Sequence, residues 1–204
     1  MAVRRWAGLA AVVIAAVIVA SCSETAGGTP TTANSPERST VHKSAPPSGN
    51  ANVPTVDNPL DASALKADPC NALSAQQVEQ LGLKPGSNGS TTAGPVCEYE
   101  YTDVLGNAVS IMITEKFDEG LADIYKRKDE LGYFKETTVA GYPAVYAGQY
   151  DDRNKGRCML HVGLTNNFVP AVFTALDGGS DRSRPCDVVK MTAEAMIKNL
   201  KGGA

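Results

Sequence analysis

The sequence predicts an α+β domain in which a mostly antiparallel sheet is packed by about three helices and held by two disulfides. Three observations predict this fold. Helical and strand patterns follow one another in the order α-β-β-α-β-β-β-β-α, the strands alternate apolar and polar residues, and four cysteines lie between residues 70 and 186. We expect one domain over residues 63–204, which is long enough to bury a core.

The helices are predicted from their caps and from their apolar spacing. Ser74 and Gln77 form a capping box for a helix over Ala75–Leu81. A second helix is predicted between Asp118, as its cap, and Gly132, and a third begins near Pro185, a favoured first position. The third helix has a stripe of residues that we expect to face the core: Cys186, Val189, Ala193, Met196 and Leu200.

Six segments have the composition or the alternation of half-buried strands. In Cys97–Tyr101 apolar residues alternate with two glutamates, and Val109, Ile111 and Ile113 share one face of the next strand. The other predicted strands are residues 134–139, 144–150, 158–164 and 168–176. The segment at 85–95, rich in Gly, Ser and Thr, is predicted to be a loop.

The amino terminus has the pattern of a lipoprotein signal peptide over residues 1–21. Two arginines precede an uncharged run over residues 7–20, which is too short to span a bilayer as a helix. The run ends in Val19-Ala20-Ser21-Cys22, an aliphatic residue and two small residues before a cysteine. We expect cleavage before Cys22 and attachment to its thiol of a diacylglycerol, whose acyl chains are of the palmitate type. The alternative is an ordinary secretory signal with a cysteine nearby by chance.

Residues 22–62 are predicted to be a disordered tether. They are rich in Thr, Pro, Ser, Gly and Asn and hold few large apolar residues, so no core would offset the entropy of ordering them. The tether would separate the domain from the lipid headgroups. Removal of the signal peptide takes away two arginines and no acids, which moves the net charge from −3 to −5. We find no basic stripe with interleaved aromatic residues, so nucleic acid is not an expected partner.

Cys70, Cys97, Cys158 and Cys186 are predicted to form two disulfides. An even set of cysteines outside the cytoplasm is typical of disulfides, whereas a metal site would need close pairs such as CxxC, which are absent. Four cysteines allow three pairings. Topology favours Cys70–Cys97 with Cys158–Cys186, because the strand after Cys158 and its antiparallel partner end near the same edge, where the last helix begins.

The sequence holds few groups for chemistry. His161 is the only histidine of the predicted domain, and it points to the opposite face from its apolar neighbours Leu160 and Val162. A hydrolase needs a nucleophile, a base and an orienting acid, and nothing marks His161 as the base. We interpret it as a surface or hydrogen-bonded strand histidine. We expect no catalytic residue, no metal and no cofactor.

One strand face is a candidate ligand surface. Tyr142, Tyr146 and Tyr150 alternate with the small residues Ala144 and Gly148, which would leave slots between the rings. Such a face suits a sugar or an acyl chain. The alternative is that these tyrosines pack beneath the second predicted helix.

Short motifs around the cysteines resemble a known family. They are Asp68-Pro69-Cys70, Cys97-Glu98-Tyr99, Val139-Ala140-Gly141-Tyr142-Pro143-Ala144 and Arg184-Pro185-Cys186-Asp187. Together they resemble the actinobacterial lipoproteins with the DUF3558 domain of unknown function, over about Asp68–Leu200. That family commonly has Trp where this chain has Tyr99, which we expect to be a conservative core change. The resemblance implies a cell-envelope lipoprotein and brings no established activity.

We therefore expect a monomeric lipoprotein on the outer face of the cell membrane. Its domain would be a non-catalytic module that binds an envelope lipid, glycan or protein. The alternatives are an extracytoplasmic hydrolase, which needs convergent titratable groups in a cleft, and a structural or adhesion lipoprotein without a pocket.

Overall fold

The computed structural model describes residues 53–202, which form a single seven-stranded antiparallel sheet with helices on both faces. The strands are β1 Ser87–Thr91, β2 Gly94–Glu100, β3 Ala108–Ile113, β4 Tyr133–Val139, β5 Tyr142–Gly148, β6 Arg157–Val162 and β7 Pro170–Ala175. Their order across the sheet is β1-β2-β3-β7-β6-β5-β4. The chain thus forms two meanders, β1-β2-β3 and β4-β5-β6-β7, which join where β3 pairs with β7.

The described part of the chain contains four α-helices. They are α1 Ser63–Ala67, α2 Ala75–Gln80, α3 Leu121–Tyr125 and α4 Pro185–Leu200. Short 3₁₀ turns lie at Pro69–Ala72, Lys128–Glu130, Arg153–Lys155 and Ser180–Ser183. The predicted α+β class and antiparallel sheet are confirmed, although sheet outweighs helix and the helices number four rather than three. No helix among these residues is both long and apolar enough to cross a bilayer.

The first sheet face carries the main core, beneath α4. Val189, Ala193 and Met196 of the predicted α4 stripe are fully buried, while Cys186 and Leu200 at its ends are half-buried. α4 packs against β6 and β7, where it covers residues such as Leu160 and Val172. α1 and α2 extend this layer with Leu65 and Val78. The capping box of α2 is present as predicted, with Ser74 and Gln77 bonding each other's backbone N–H groups.

The second sheet face is covered less completely. Leu121, Ile124 and Tyr125 of α3 pack against Val145 and Ala147 of β5, and Val169 completes this small cluster. α3 is much shorter than the helix predicted between Asp118 and Gly132. It begins after Gly120 at φ +66°, not at an Asp118 cap, and the charged residues 126–130 give only a 3₁₀ turn because they have no apolar side chain to bury.

Two boundaries differ from the sequence prediction. β1 lies within the segment that was predicted to be a loop, and every residue of it is exposed. Its Ser, Asn, Gly and Thr residues form a strand because β2 offers a free edge to pair with. The part of the predicted tether that the structure describes also packs against the domain near residues 56–62. Val56 and Ala62 are buried, and Leu60 donates its backbone N–H to the Leu164 carbonyl at 3.0 Å.

The two disulfides have the sequential pairing. Cys70–Cys97 ties the first 3₁₀ turn to β2, and Cys158–Cys186 ties β6 to the first turn of α4. Sequence separations of 27 and 28 residues correspond to a stabilisation of about 3–4 kcal/mol each in the chain-entropy model. Both bonds lie on the α4 side of the sheet, where they reinforce the main core.

Candidate functional site

A cleft of about 330 Å³ lies between α3 and the second face of the sheet. Met112 of β3, Ala171 of β7 and His161 of β6 form one row of its floor, because Ala171 pairs with Met112 on one side and with His161 on the other. Met159 and Ala147 continue the floor. The small side chain of Ala171 between two large ones leaves the depression that the cleft occupies.

The wall and roof of the cleft come from α3 and the segments on either side of it. Phe117 precedes the helix, Ile124 lies within it, and Arg127 and Leu131 follow it. Because α3 has only five residues, it covers β5 but does not reach across β6 and β7. The apolar residues Met112, Met159 and Phe117 therefore stay half-buried at the cleft rather than enclosed in a core.

His161 is a buried histidine in this apolar environment. The side chain is 7% exposed, and its Nδ1 has no hydrogen-bond partner among the described residues. Burial lowers the pKa of His161 to about 4, although a hydrogen bond to the backbone of Ala147 acts in the opposite direction. The ring of Phe117 lies 5.8 Å from the imidazole, at 57° to it. The imidazole is therefore neutral at pH 7 and contributes a polar nitrogen to an otherwise apolar region.

A second, more polar cavity of about 390 Å³ adjoins the cleft. Five residues line both cavities: Ala93, Thr114, Phe117, Asp123 and Arg127. Lys116 and Lys126 line only the second. Three cationic side chains and one carboxylate thus surround the entrance to the cleft. We call this second cavity the mouth.

The charges of the mouth are partly paired. Lys126 forms a 2.6 Å ion pair with Glu119 and lies 3.6 Å from Asp123, and Arg127 lies 3.6 Å from Glu130. The Glu119 carboxylate raises the pKa of Lys126 above its ordinary value. Lys116 has no ion pair within the part of the chain that the structure describes.

Comparison with known protein families identifies the chain. The family model described as "Protein of unknown function (DUF3558)" matches residues 17–199. The chain belongs to this family. No curated protein and no solved structure matches it significantly.

The predicted tyrosine surface is not a continuous exposed face in this DUF3558 protein. Tyr142 is buried in the main core, where the Lys201 amino group lies 4.9 Å from its ring centroid. Tyr146 is half-buried against the same core, and its hydroxyl donates to the Cys186 carbonyl at 3.5 Å. Only Tyr150 is largely exposed, at 72%. The first two rings face α4 rather than the second predicted helix, because residues of even number in β5 point to the α4 side.

The remaining predictions concern the cysteines and a metal site. Cys22 lies outside the described residues, and the other four cysteines are the disulfide partners given above. No cluster of three metal-ligating side chains is found in residues 53–202. Another cavity, about 590 Å³ beside the start of α4, is lined by Asp151 and Arg153, which form an ion pair with each other, so it is a solvated polar surface.

The interpretation of His161 as a surface residue is wrong, because it is buried; it does have a hydrogen bond to the backbone of Ala147, whereas its Nδ1 has no partner among the described residues. The direction of its side chain was predicted correctly, but on that face the imidazole is buried beside Phe117 in the cleft lining instead of exposed to solvent. A sequence signal for the cleft did exist: β3 and β6 carry large apolar side chains on both faces. Met112 alternates with Ile111 and Ile113, and Met159 precedes Leu160. Two-sided apolar strands indicate a sheet that is covered on both faces.

Proposed function

We propose that this DUF3558 protein is a lipid-anchored cell-envelope module whose domain binds an apolar ligand of the lipid class in the cleft beneath α3. The observation that carries the proposal is the cleft itself. Its half-buried Met side chains are flexible and polarisable, which lets them adapt to apolar ligands, and the Phe117 ring adds apolar surface. Its volume of about 330 Å³ lies within the range of small-molecule sites. The cleft favours a lipid over a glycan or protein partner, and a binding module over a structural or adhesion lipoprotein.

A non-catalytic role fits the lining better than the alternative, an extracytoplasmic hydrolase. His161 would be the base of such an enzyme, and Thr114 is the sole hydroxyl side chain among the lining residues described. Asp123, the sole carboxylate there, accepts the Glu119 backbone N–H at 2.8 Å and faces Lys126. A triad needs the acid to orient the base, and Asp123 is engaged elsewhere. Turnover of acyl esters that depends on His161 would favour the hydrolase instead.

The anchoring part of the proposal depends on the amino terminus. Cys22 follows an apolar run and two small residues, and a diacylglyceryl cysteine would attach the chain stably because two acyl chains suffice for anchoring. We propose that the monomer stands on the outer face of the cell membrane. In cells fed a palmitate analogue, the wild-type chain should be labelled and a Cys22→Ser variant should not. Labelling of the variant would contradict the anchor.

The cleft can be tested with a matched pair of variants. Met112 lies on the cleft floor, and Met191 is an exposed methionine on the outer side of α4. We expect native mass spectrometry of the full chain, purified from membranes of its own host, to show a bound apolar molecule. Met112→Trp should abolish that mass because the indole fills the cleft, whereas Met191→Trp should retain it.

The outcome that contradicts the proposal is equally specific. A bound molecule that survives Met112→Trp lies elsewhere. A wild-type chain that carries no apolar molecule, and takes up none from mixed envelope lipids, has no lipid-binding cleft.

A further inference from the structure

The cleft and its mouth differ in chemistry although they are continuous. The cleft is lined mainly by Met, Leu, Ile, Phe and Ala side chains, whereas the mouth has Lys116, Lys126 and Arg127 at its rim. The carboxylate of Asp123 is the one acidic side chain among the lining residues of the mouth. This positive rim contrasts with the acidic net charge of the whole chain, −3. A ligand that fills both cavities therefore meets an apolar surface at one end and cations at the other.

The rim cations are available to a ligand. Lys116 is exposed and has no ion pair among the described residues. The pairs of Lys126 with Glu119 and of Arg127 with Glu130 are themselves exposed, with more than a third of each side chain accessible. Exposed ion pairs of this kind contribute about 0–1 kcal/mol, so a ligand anion can displace or join them at little cost.

The size of the cleft limits the apolar part of the ligand. At about 330 Å³ it lies at the lower end of the range for small-molecule sites, which runs from about 300 to 1,000 Å³. That space suits one acyl chain and not the two of a diacyl lipid.

Resting on the proposed function, we infer that the ligand is a single-chain amphiphile with an anionic head. Its chain lies over Met112, Ala171 and Met159, and its carboxylate or phosphate lies between Lys116 and Arg127. A free fatty acid and a single-chain lipid phosphate share this chemistry. The size of the cleft favours this ligand over the bilayer's own diacyl anionic lipid, because only one acyl chain fits inside it.

The test uses three probes of equal chain length but different head charge: decanoate, 1-decanol and decyltrimethylammonium. Phe117→Trp places a fluorescent reporter at the junction of the two cavities, and Leu131→Trp is a second reporter at the other end of the cleft. The sole natural tryptophan, Trp6, precedes the proposed cleavage site. The full chain is held in nanodiscs of neutral phosphatidylcholine at pH 8, and each probe is titrated.

The variant that tests the head contact is Lys116→Gln, and Lys128→Gln is its matched control. Lys128 is an exposed lysine of the same region, and it lines neither cavity. We expect Lys116→Gln to weaken decanoate about three- to fivefold, the effect of one exposed charge pair, and to leave 1-decanol unchanged. Lys128→Gln should change neither. Each probe partitions into the nanodisc to the same extent for every variant. This partition therefore cancels when the dissociation constant of a variant is divided by that of the reporter chain without the lysine substitution.

The outcomes separate the two proposals. Decanoate should bind about tenfold more tightly than 1-decanol, with decyltrimethylammonium weakest, and 0.5 M salt should remove most of the preference. Equal binding of decanoate and 1-decanol would overturn the anionic head and leave the apolar cleft standing. Failure of all three probes with both reporters would overturn the cleft as well. If nanodiscs with added phosphatidylglycerol displace decanoate, the ligand is a diacyl lipid and the single-chain assignment is wrong.

The source of the head can be resolved in the same assay. Decyl phosphate and decanoate should compete for the same rim. Tighter binding of decyl phosphate would indicate a lipid phosphate, and tighter binding of decanoate would indicate a free fatty acid. Binding by neither, when 1-decanol binds, would again contradict the anionic head.

Discussion

The two faces of the sheet differ in how completely they are packed. Beneath α4, fully buried side chains such as Leu160 and Val172 are covered by a helix of 16 residues, and both disulfides reinforce that side. Beneath α3, a helix of five residues leaves Met159 half-buried and an apolar cleft open. Leu160 and Met159 are neighbours in β6, so one strand contributes to both environments.

This difference separates stability from binding. The α4 face has the features that stabilise a small domain: a continuous apolar core and cross-links. The α3 face has the features of a site: accessible apolar surface, cations at the rim, and a buried histidine nitrogen that has no hydrogen-bond partner in residues 53–202. Changes on the first face should therefore lower the free energy of unfolding, and changes on the second should alter binding with little loss of stability.

The largest expected contrast is between Leu160→Ala and Met159→Ala. Leu160 is fully buried, so its truncation leaves a cavity and should lower the free energy of unfolding by about 3–5 kcal/mol. Met159 already borders open space, and its truncation should cost about 1 kcal/mol. Urea unfolding of the two full-length variants measures both values. Equal losses would mean that the α3 face is as tightly packed as the α4 face.

A smaller effect on the free energy of unfolding is expected when the pH is lowered, because His161 is buried in its neutral form. Its pKa is about 4 in the folded chain and near 6.5 when unfolded, so the unfolded state binds the proton more readily. The free energy of unfolding should therefore be fully retained above pH 6.5 and decline as the pH falls toward 4. The total loss is about 3 kcal/mol, from about 1.4 kcal/mol per unit of pKa difference.

The control for this pH dependence is His161→Phe, which keeps a ring in the cleft and cannot titrate. Asp123 and Arg127 line the same cleft and are unchanged in the variant, as are the carboxylates elsewhere in the domain. The difference between wild type and variant across pH 4–7 therefore isolates the histidine. If the free energy of unfolding has the same pH dependence in both proteins, the imidazole is accessible to water and the α3 face is less tightly packed around it.

The smallest contrast concerns Tyr146 of β5 and Tyr150, which follows that strand. Tyr146 is half-buried against the α4 core, so Tyr146→Ala should lower the free energy of unfolding by about 2 kcal/mol, less than for a fully buried ring. Tyr150 is exposed, and Tyr150→Ala should stay within about 0.5 kcal/mol of wild type. Thermal melts at one pH measure both. Ligand loss in Tyr146→Ala without loss of stability would restore the tyrosine face as the binding surface.

Local patterns predicted much of the architecture. The capping box at Ser74 and Gln77 forms because both partners lie within one turn of the same helix. The stripe of α4 is buried because its period matches the helix. The sequential disulfides followed from strand order, which places Cys158 beside the start of α4. In contrast, the predicted helix before Gly132 was too long, because residues 126–130 are all charged and only Leu131 after them packs against the small α3 cluster.

The sequence by itself determined the fold class, the cysteine pairing and the α4 core, since each depends on residue type and spacing along the chain. Only the tertiary structure decided that Tyr142 is core and that His161 is buried. It also decided that the cleft exists at all. Ala171, Met112 and Met159 come from three strands, and they meet because β7 is placed between β3 and β6 in the sheet. The area of that face that α3 covers depends on the length of this marginally stable helix. Tertiary packing determines that length, and local helix propensity does not.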